Sequence, residues 1–159
     1  MKLLNLGNVG TIGSYAFTST KIPSLTLPAN TKTVKSYAFS GCSSISTLEL
    51  NQVQTIENNA FSGLGITKLT IPTSVQTIGS NAFASCQQLT TMNYPTTSTL
   101  TADKTMLTGC SGMRTIKITG AAATVNYGTG NQPWNSVIGI ITNVEFASSV
   151  TIVPNYAFE

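Results

Sequence analysis

Ile12-Gly-Ser-Tyr-Ala-Phe17 returns as Val34-Lys-Ser-Tyr-Ala-Phe39, Ile56-Glu-Asn-Asn-Ala-Phe61, Ile78-Gly-Ser-Asn-Ala-Phe83 and Val153-Pro-Asn-Tyr-Ala-Phe158. From Phe17 to Phe39, Phe61 and Phe83 the step is the same each time. A phrase repeated at one constant period, inside the roughly 20–29 residue range of leucine-rich repeats, marks a solenoid in which each repeat is one coil. Thr105-Met-Leu-Thr-Gly-Cys110 is a decayed copy, with Leu107 in the phenylalanine slot. Between Leu107 and Phe158 there is room for one irregular coil, in which Trp134 is the expected stand-in for the ring.

A second pattern precedes each phrase: Leu4-Asn-Leu6, Leu25-Thr-Leu27, Leu48-Glu-Leu50, Leu69-Thr-Ile71, Met92-Asn-Tyr94, Ile116-Lys-Ile118 and Val144-Glu-Phe146. Apolar and polar residues in alternation predict a short strand with one buried face. Pro28, Pro72 and Pro95 follow three of these patterns and lack the N–H that a longer strand would use. Residues 4–47 and 48–91 align without gaps, so two coils, one short-spaced and one longer-spaced, form the sequence unit.

Composition narrows the chemistry. The chain has 159 residues, 41% apolar and only 8% charged, against roughly 25% charged in ordinary domains. Uncharged polar residues must therefore cover its surface. There is no histidine, and the acids Glu49, Glu57, Asp103, Glu145 and Glu159 are scattered. Glu49 and Glu145 share a repeat position but lie four coils apart, so no carboxylate pair is set up for hydrolysis. We expect no catalytic residues, no metal and no cofactor. The net charge of +3 comes from separated cations, without the Lys/Arg cluster that nucleic acid or an anionic membrane surface calls for. Apolar runs such as Val137-Ile-Gly-Ile-Ile141 are far below the ~20 residues that span a bilayer. Gly7-Asn-Val-Gly-Thr-Ile-Gly13 lacks the Lys-Ser/Thr ending of a phosphate loop and falls in the repeat register.

A coil of this kind cannot bury its apolar side chains alone, and stacking converts each repeat position into an internal ladder. Seven coils at about 4.8 Å make a rod on the order of 34 Å long. Removing one ring, as in Phe61→Ala, should cost about 3–5 kcal/mol. Cys42, Cys86 and Cys110 share one position, just after the phenylalanine slot. They read as small buried groups; spacing alone does not exclude a disulfide between Cys86 and Cys110 on adjacent coils, whereas Cys42 is too far away.

The phrases Leu25-Thr-Leu-Pro28, Val34-Lys-Ser-Tyr-Ala-Phe-Ser-Gly-Cys42 and Leu69-Thr-Ile-Pro-Thr-Ser-Val-Gln-Thr-Ile-Gly-Ser-Asn-Ala-Phe83 resemble the BspA-like, or treponemal-type, leucine-rich repeat. The resemblance implies a leucine-rich-repeat solenoid, β-rich and conventionally placed in the α/β class, of about seven stacked coils. One parallel sheet is expected on its concave face, with short turns, 3-10 segments or short strands on the convex face. The whole chain, 1–159, reads as a single domain: regular repeats over 4–119, an irregular coil or insertion over 120–143, and resumption over 144–159. It also reads as a piece of a longer protein. The resemblance further implies a cell-surface or extracellular location and a role in adhesion, in some members toward host matrix proteins.

Residues flanking and between the inward-pointing pairs define an outward surface: Thr26, Thr47, Glu49, Lys68, Thr70, Thr91, Asn93, Thr115 and Lys117. Solenoids commonly bind through such extended sheets, so these are candidate partner contacts. Tyr127 and Trp134 in the insertion are the alternative, since loops that interrupt a repeat often carry function. The partner class is protein, such as a host extracellular-matrix or surface protein, or glycan, with no nucleic acid and no membrane insertion. A competing reading makes the coils a stalk or spacer with no ligand of their own.

Overall fold

The computed structural model describes residues 4–97, 99–120, 130–151, 153 and 157–158. Each coil contributes strands to two faces. On one face, β1 (Thr11–Ile12), β3 (Thr33–Val34), β5 (Thr55–Ile56), β7 (Thr77–Ile78) and β9 (Thr101–Ala102) form an unbroken parallel sheet. Its register places Thr11, Thr33, Thr55, Thr77 and Thr101 in one column. On the other face lie β2 (Ser24–Thr26), β4 (Thr47–Glu49), β6 (Lys68–Thr70), β8 (Thr91–Pro95), β10 (Thr115–Thr119) and β11 (Asn143–Phe146). A short 3-10 helix, Asn135–Ile140, is the one helical element among the described residues.

Between the faces sit the repeated phrases, and their rings stack in single file. Phe17–Phe39, Phe39–Phe61 and Phe61–Phe83 have centroids 5.1, 5.6 and 5.4 Å apart and interplanar angles of 12° or less. Backbone bonds hold the file: the N–H groups of Phe17, Phe39 and Phe61 donate to Ala38, Ala60 and Ala82 carbonyls at 2.8 Å, and Phe83 to Met106 at 2.9 Å. That bond puts Leu107 in the phenylalanine slot, as the repeat predicts. The turn needs a left-handed residue at two fixed places, filled by Tyr15, Tyr37, Asn59 and Asn81 at φ 56–59° and by Ser19, Gly41, Gly63, Ser85 and Gly109 at φ 58–77°. Asparagine and glycine adopt this region at least cost.

The two faces keep different time. The ring file advances by one constant step through Phe83, but the leading residues of the other face alternate around that step. Leu4 to Leu25 and Leu48 to Leu69 fall one residue short of it, while Leu25 to Leu48 and Leu69 to Met92 overrun it by one. Strands joined by the longer step pair, β2 with β4 and β6 with β8. Strands joined by the shorter step do not: β4 and β6 belong to different sheets, and Leu4-Asn5-Leu6, one short step before β2, forms no strand. In the short coil Gly65 lies so close to the Ser43 carbonyl that a Cβ would sit 2.3 Å from its oxygen.

Four expectations are thereby corrected. The described residues stack into about five turns, not seven: the 4–6 pattern adds no strand, and the described part of the stretch between β10 and β11 holds a 3-10 helix. The concave sheet is not one but two, β2–β4 and β6–β8–β10–β11, since a coil one short step long fails to align its strand with the last. Pro95 does not follow its strand but is the last residue of β8, level with Thr119 of β10, and the strand stops at the proline. Phe146, which alternation points inward, is 43% exposed; it lies on the last strand of its sheet, touching Phe158 edge-on.

Trp134 is fully buried, its ring stacked on Phe158 at 5.4 Å and edge-on to Tyr94 at 5.4 Å. The indole N–H donates to the Ala157 carbonyl at 2.6 Å. The residue thus fills a core slot, as its place in the irregular coil suggests.

Candidate functional site

The outward residues of β2 to β11 form two columns. In one, Ser24 is level with Thr47, and Lys68 with Thr91, Thr115 and Asn143. In the other, Thr26 is level with Glu49, and Thr70 with Asn93, Lys117 and Glu145. The surface residues expected from sequence are therefore brought together. Thr26, Thr47, Glu49, Lys68 and Thr70 are exposed, and Thr91, Asn93, Thr115 and Lys117 half-buried. Trp134 is not on this surface, and Tyr127 lies outside the described residues.

The break between β4 and β6 opens a cleft of about 270 Å³ on this face, bordered by Ser46, Thr47 and Glu49 on one side and Thr67, Lys68 and Thr70 on the other. Across the intact junctions Leu27 donates its N–H to Glu49 O at 2.9 Å and Ile71 to Asn93 O at 3.0 Å. Leu50, at the equivalent repeat position facing β6, makes no such bond among the described residues. Cα atoms of β4 and β6 still approach within 8 Å, whereas a strand slotted between two others would hold them about 9.5 Å apart. The gap between β4 and β6 is therefore too narrow for an added strand. A second opening of about 450 Å³, between residues 4–7 and 26–29, sits at the other short step.

Charge on this face is sparse and paired at one end. Lys117 Nζ meets Glu145 Oε2 at 2.6 Å, the one ion pair among the described residues, and Asn143 Nδ2 donates to Glu145 Oε1 at 2.8 Å. Lys117, by hydrogen bond first and then by its charge, holds the Glu145 carboxyl below its ordinary value, with Asn143 adding to the effect. Glu49 and Lys68 at the cleft carry no ion pair among the described residues. Asn93 Nδ2 reaches Thr70 Oγ1 at 3.3 Å, while its buried Oδ1 has no partner among the described residues. The site offers hydroxyls, one carboxylate and one ammonium: hydrogen-bonding chemistry. Among the described residues no cluster of three His, Cys, Asp or Glu side chains could hold a metal, and no helix is long and apolar enough to cross a membrane.

Alternation along single strands does not predict the cleft. Its signal lies in the uneven Leu spacing of the concave face, set against the even spacing of the rings.

Parallel strands on two faces, a ring ladder between them and almost no helix define a leucine-rich-repeat solenoid. The family model described as the BspA type leucine rich repeat region matches residues 10–129 in six copies, and the chain belongs to that family. Among solved structures, a leucine-rich repeat protein from Bacteroides ovatus is similar at 17% identity and a TM-score of 0.43, over 95% of this chain and 50% of that one. A leucine rich cell surface protein from Faecalibacterium prausnitzii is similar at 20% identity and a TM-score of 0.47, over 84% of this chain and 44% of that one. The chain thus spans about half the length of these proteins or less. No curated protein matches it.

Proposed function

We propose that the chain is a non-enzymatic interaction module of a cell-surface or secreted protein, and that it engages a partner protein through the concave face, centred on the β4–β6 cleft. Membership of a repeat family whose members are generally protein-interaction modules supports the class. The observation that carries the site is the cleft, where the sheet is open and Glu49 and Lys68 stand exposed without an ion pair among the described residues. Threonine and asparagine around them supply hydrogen bonds without the aromatic anchors that mark tight hot spots, so recognition is spread over several coils. In this reading residues 1–159 act as one solenoid domain, with regular repeats over 4–119, an irregular coil over 120–143 and repeats again over 144–159.

The test is binding of the purified chain to a panel of immobilised extracellular-matrix proteins. Thr70→Glu and Thr91→Glu should abolish the signal, while Lys35→Glu on the opposite face should leave it unchanged. Absence of binding to every member of the panel, or equal loss from all three substitutions, would favour the spacer reading, in which recognition lies elsewhere in a longer protein.

A further inference from the structure

The thiol column on the convex side has no part in the concave face. Cys42, Cys86 and Cys110 are fully buried and free, each donating its S–H to the phenylalanine carbonyl of the coil before it: Phe17 at 2.9 Å, Phe61 at 3.5 Å and Phe83 at 3.1 Å. Their neighbours differ. Cys42 lies between the levels of Thr20, whose Oγ1 is 3.4 Å from its sulfur, and Leu64. Cys86 and Cys110 occupy consecutive coils.

We infer that Cys86 and Cys110 are a disulfide-forming pair that a peroxide closes, stapling two adjacent coils of the solenoid. The backbone immediately before each cysteine is already locked in register, Phe83 N–H to Met106 O at 2.9 Å and Ser85 N–H to Thr108 O at 2.7 Å. Coils stacked by such bonds hold equivalent Cα atoms about 5 Å apart, inside the span of roughly 4.4–6.8 Å that a disulfide bridges. Each thiol also acts on the other, pushing Cys86 up and Cys110 down, which favours Cys110 as the attacking sulfur.

The reaction balances. The Cys110 sulfur attacks one peroxide oxygen, the O–O bond breaks, and the departing hydroxide takes the Cys110 proton and leaves as water. Cys110 is then a sulfenic acid. The Cys86 sulfur attacks it, the S–S bond forms as the S–O bond breaks, and the hydroxyl leaves with the Cys86 proton as a second water. Two thiols are oxidised and one peroxide is reduced to two waters.

Tryptic cleavage after Lys35, Lys68, Lys104 and Arg114 puts the three cysteines in separate peptides, 36–68, 69–104 and 105–114. After hydrogen peroxide treatment of the folded chain and alkylation in denaturant, mass spectrometry should find 69–104 linked to 105–114, with Cys42 alkylated. The oxidised chain should melt on the order of 5–10 °C higher, reversed by a thiol reductant. In Cys86→Ser, which removes the resolving thiol and changes only one buried atom, dimedone added as the peroxide-treated chain is unfolded should label Cys110. Alkylation of all three cysteines after peroxide, a link through Cys42, or no dimedone adduct at Cys110 in that variant would overturn the inference.

Discussion

Gly65 and Asp103 show how far single residues are set by the neighbouring coil. A methyl at Gly65 would press on the backbone carbonyl of Ser43, which cannot swing aside as a side chain would. Gly65→Ala should therefore destabilise by about 1–3 kcal/mol, while Gly13→Ala, with nothing within 4 Å, should change little; urea denaturation of the two variants measures the contrast. Asp103 accepts from the Thr105 hydroxyl and from the Thr105 N–H at 2.8 Å. The hydroxyl bond, aided by the N–H, Ser80 and Lys104, holds its carboxyl below the ordinary 3.8. A folded carboxyl that is more acidic than the unfolded one adds stability above the unfolded value, and that stability is lost as pH falls through the folded value. Wild-type melting temperature should therefore drop more steeply than that of Asp103→Asn below pH 3.8. Equal slopes in the two melting curves would contradict this.

At the scale of strands, the feature that matters is the mismatch of step lengths. The ring file advances evenly through Phe83 and carries one continuous sheet with it, whereas the opposite face alternates short and long steps and splits wherever the step is short. Deuterium exchange reads this directly. The amides of Leu27 and Ile71 donate across intact junctions, while Leu50 lacks that bond among the described residues. The Leu50 amide should exchange at least about tenfold faster than the other two, following local opening free energies; similar protection at all three would close the cleft.

Strand and ring positions are legible from sequence because apolar periodicity reports burial and the phrase repeats almost verbatim. Sheet continuity is harder to read. The one-residue offset between Leu48 and Leu69 is written in the sequence, but whether it breaks the ladder depends on where one coil's backbone lands against the next. Outward residues such as Thr70 and Lys68 are placed correctly by alternation alone, yet their grouping around a cleft emerges only from the stacked coils. Trp134 carries two readings from sequence, the ring of the irregular coil and a binding group in an insertion, and its burial against Tyr94 and Phe158 decides for the first.

For the molecule as a whole, stability is a sum of contacts between consecutive coils, and every surface described above is held in place by that stacking. The interaction face, the cleft and the cysteine pair all presuppose that each coil lies directly on the one before it. The most direct measurement is a set of ring-proton NOEs in protein labelled at phenylalanine. Stacking predicts cross-peaks for Phe17–Phe39, Phe39–Phe61 and Phe61–Phe83, whose centroids are 5.1–5.6 Å apart, and none for Phe17–Phe61 or Phe17–Phe83. Missing consecutive cross-peaks, or any that skip a coil, would contradict the account.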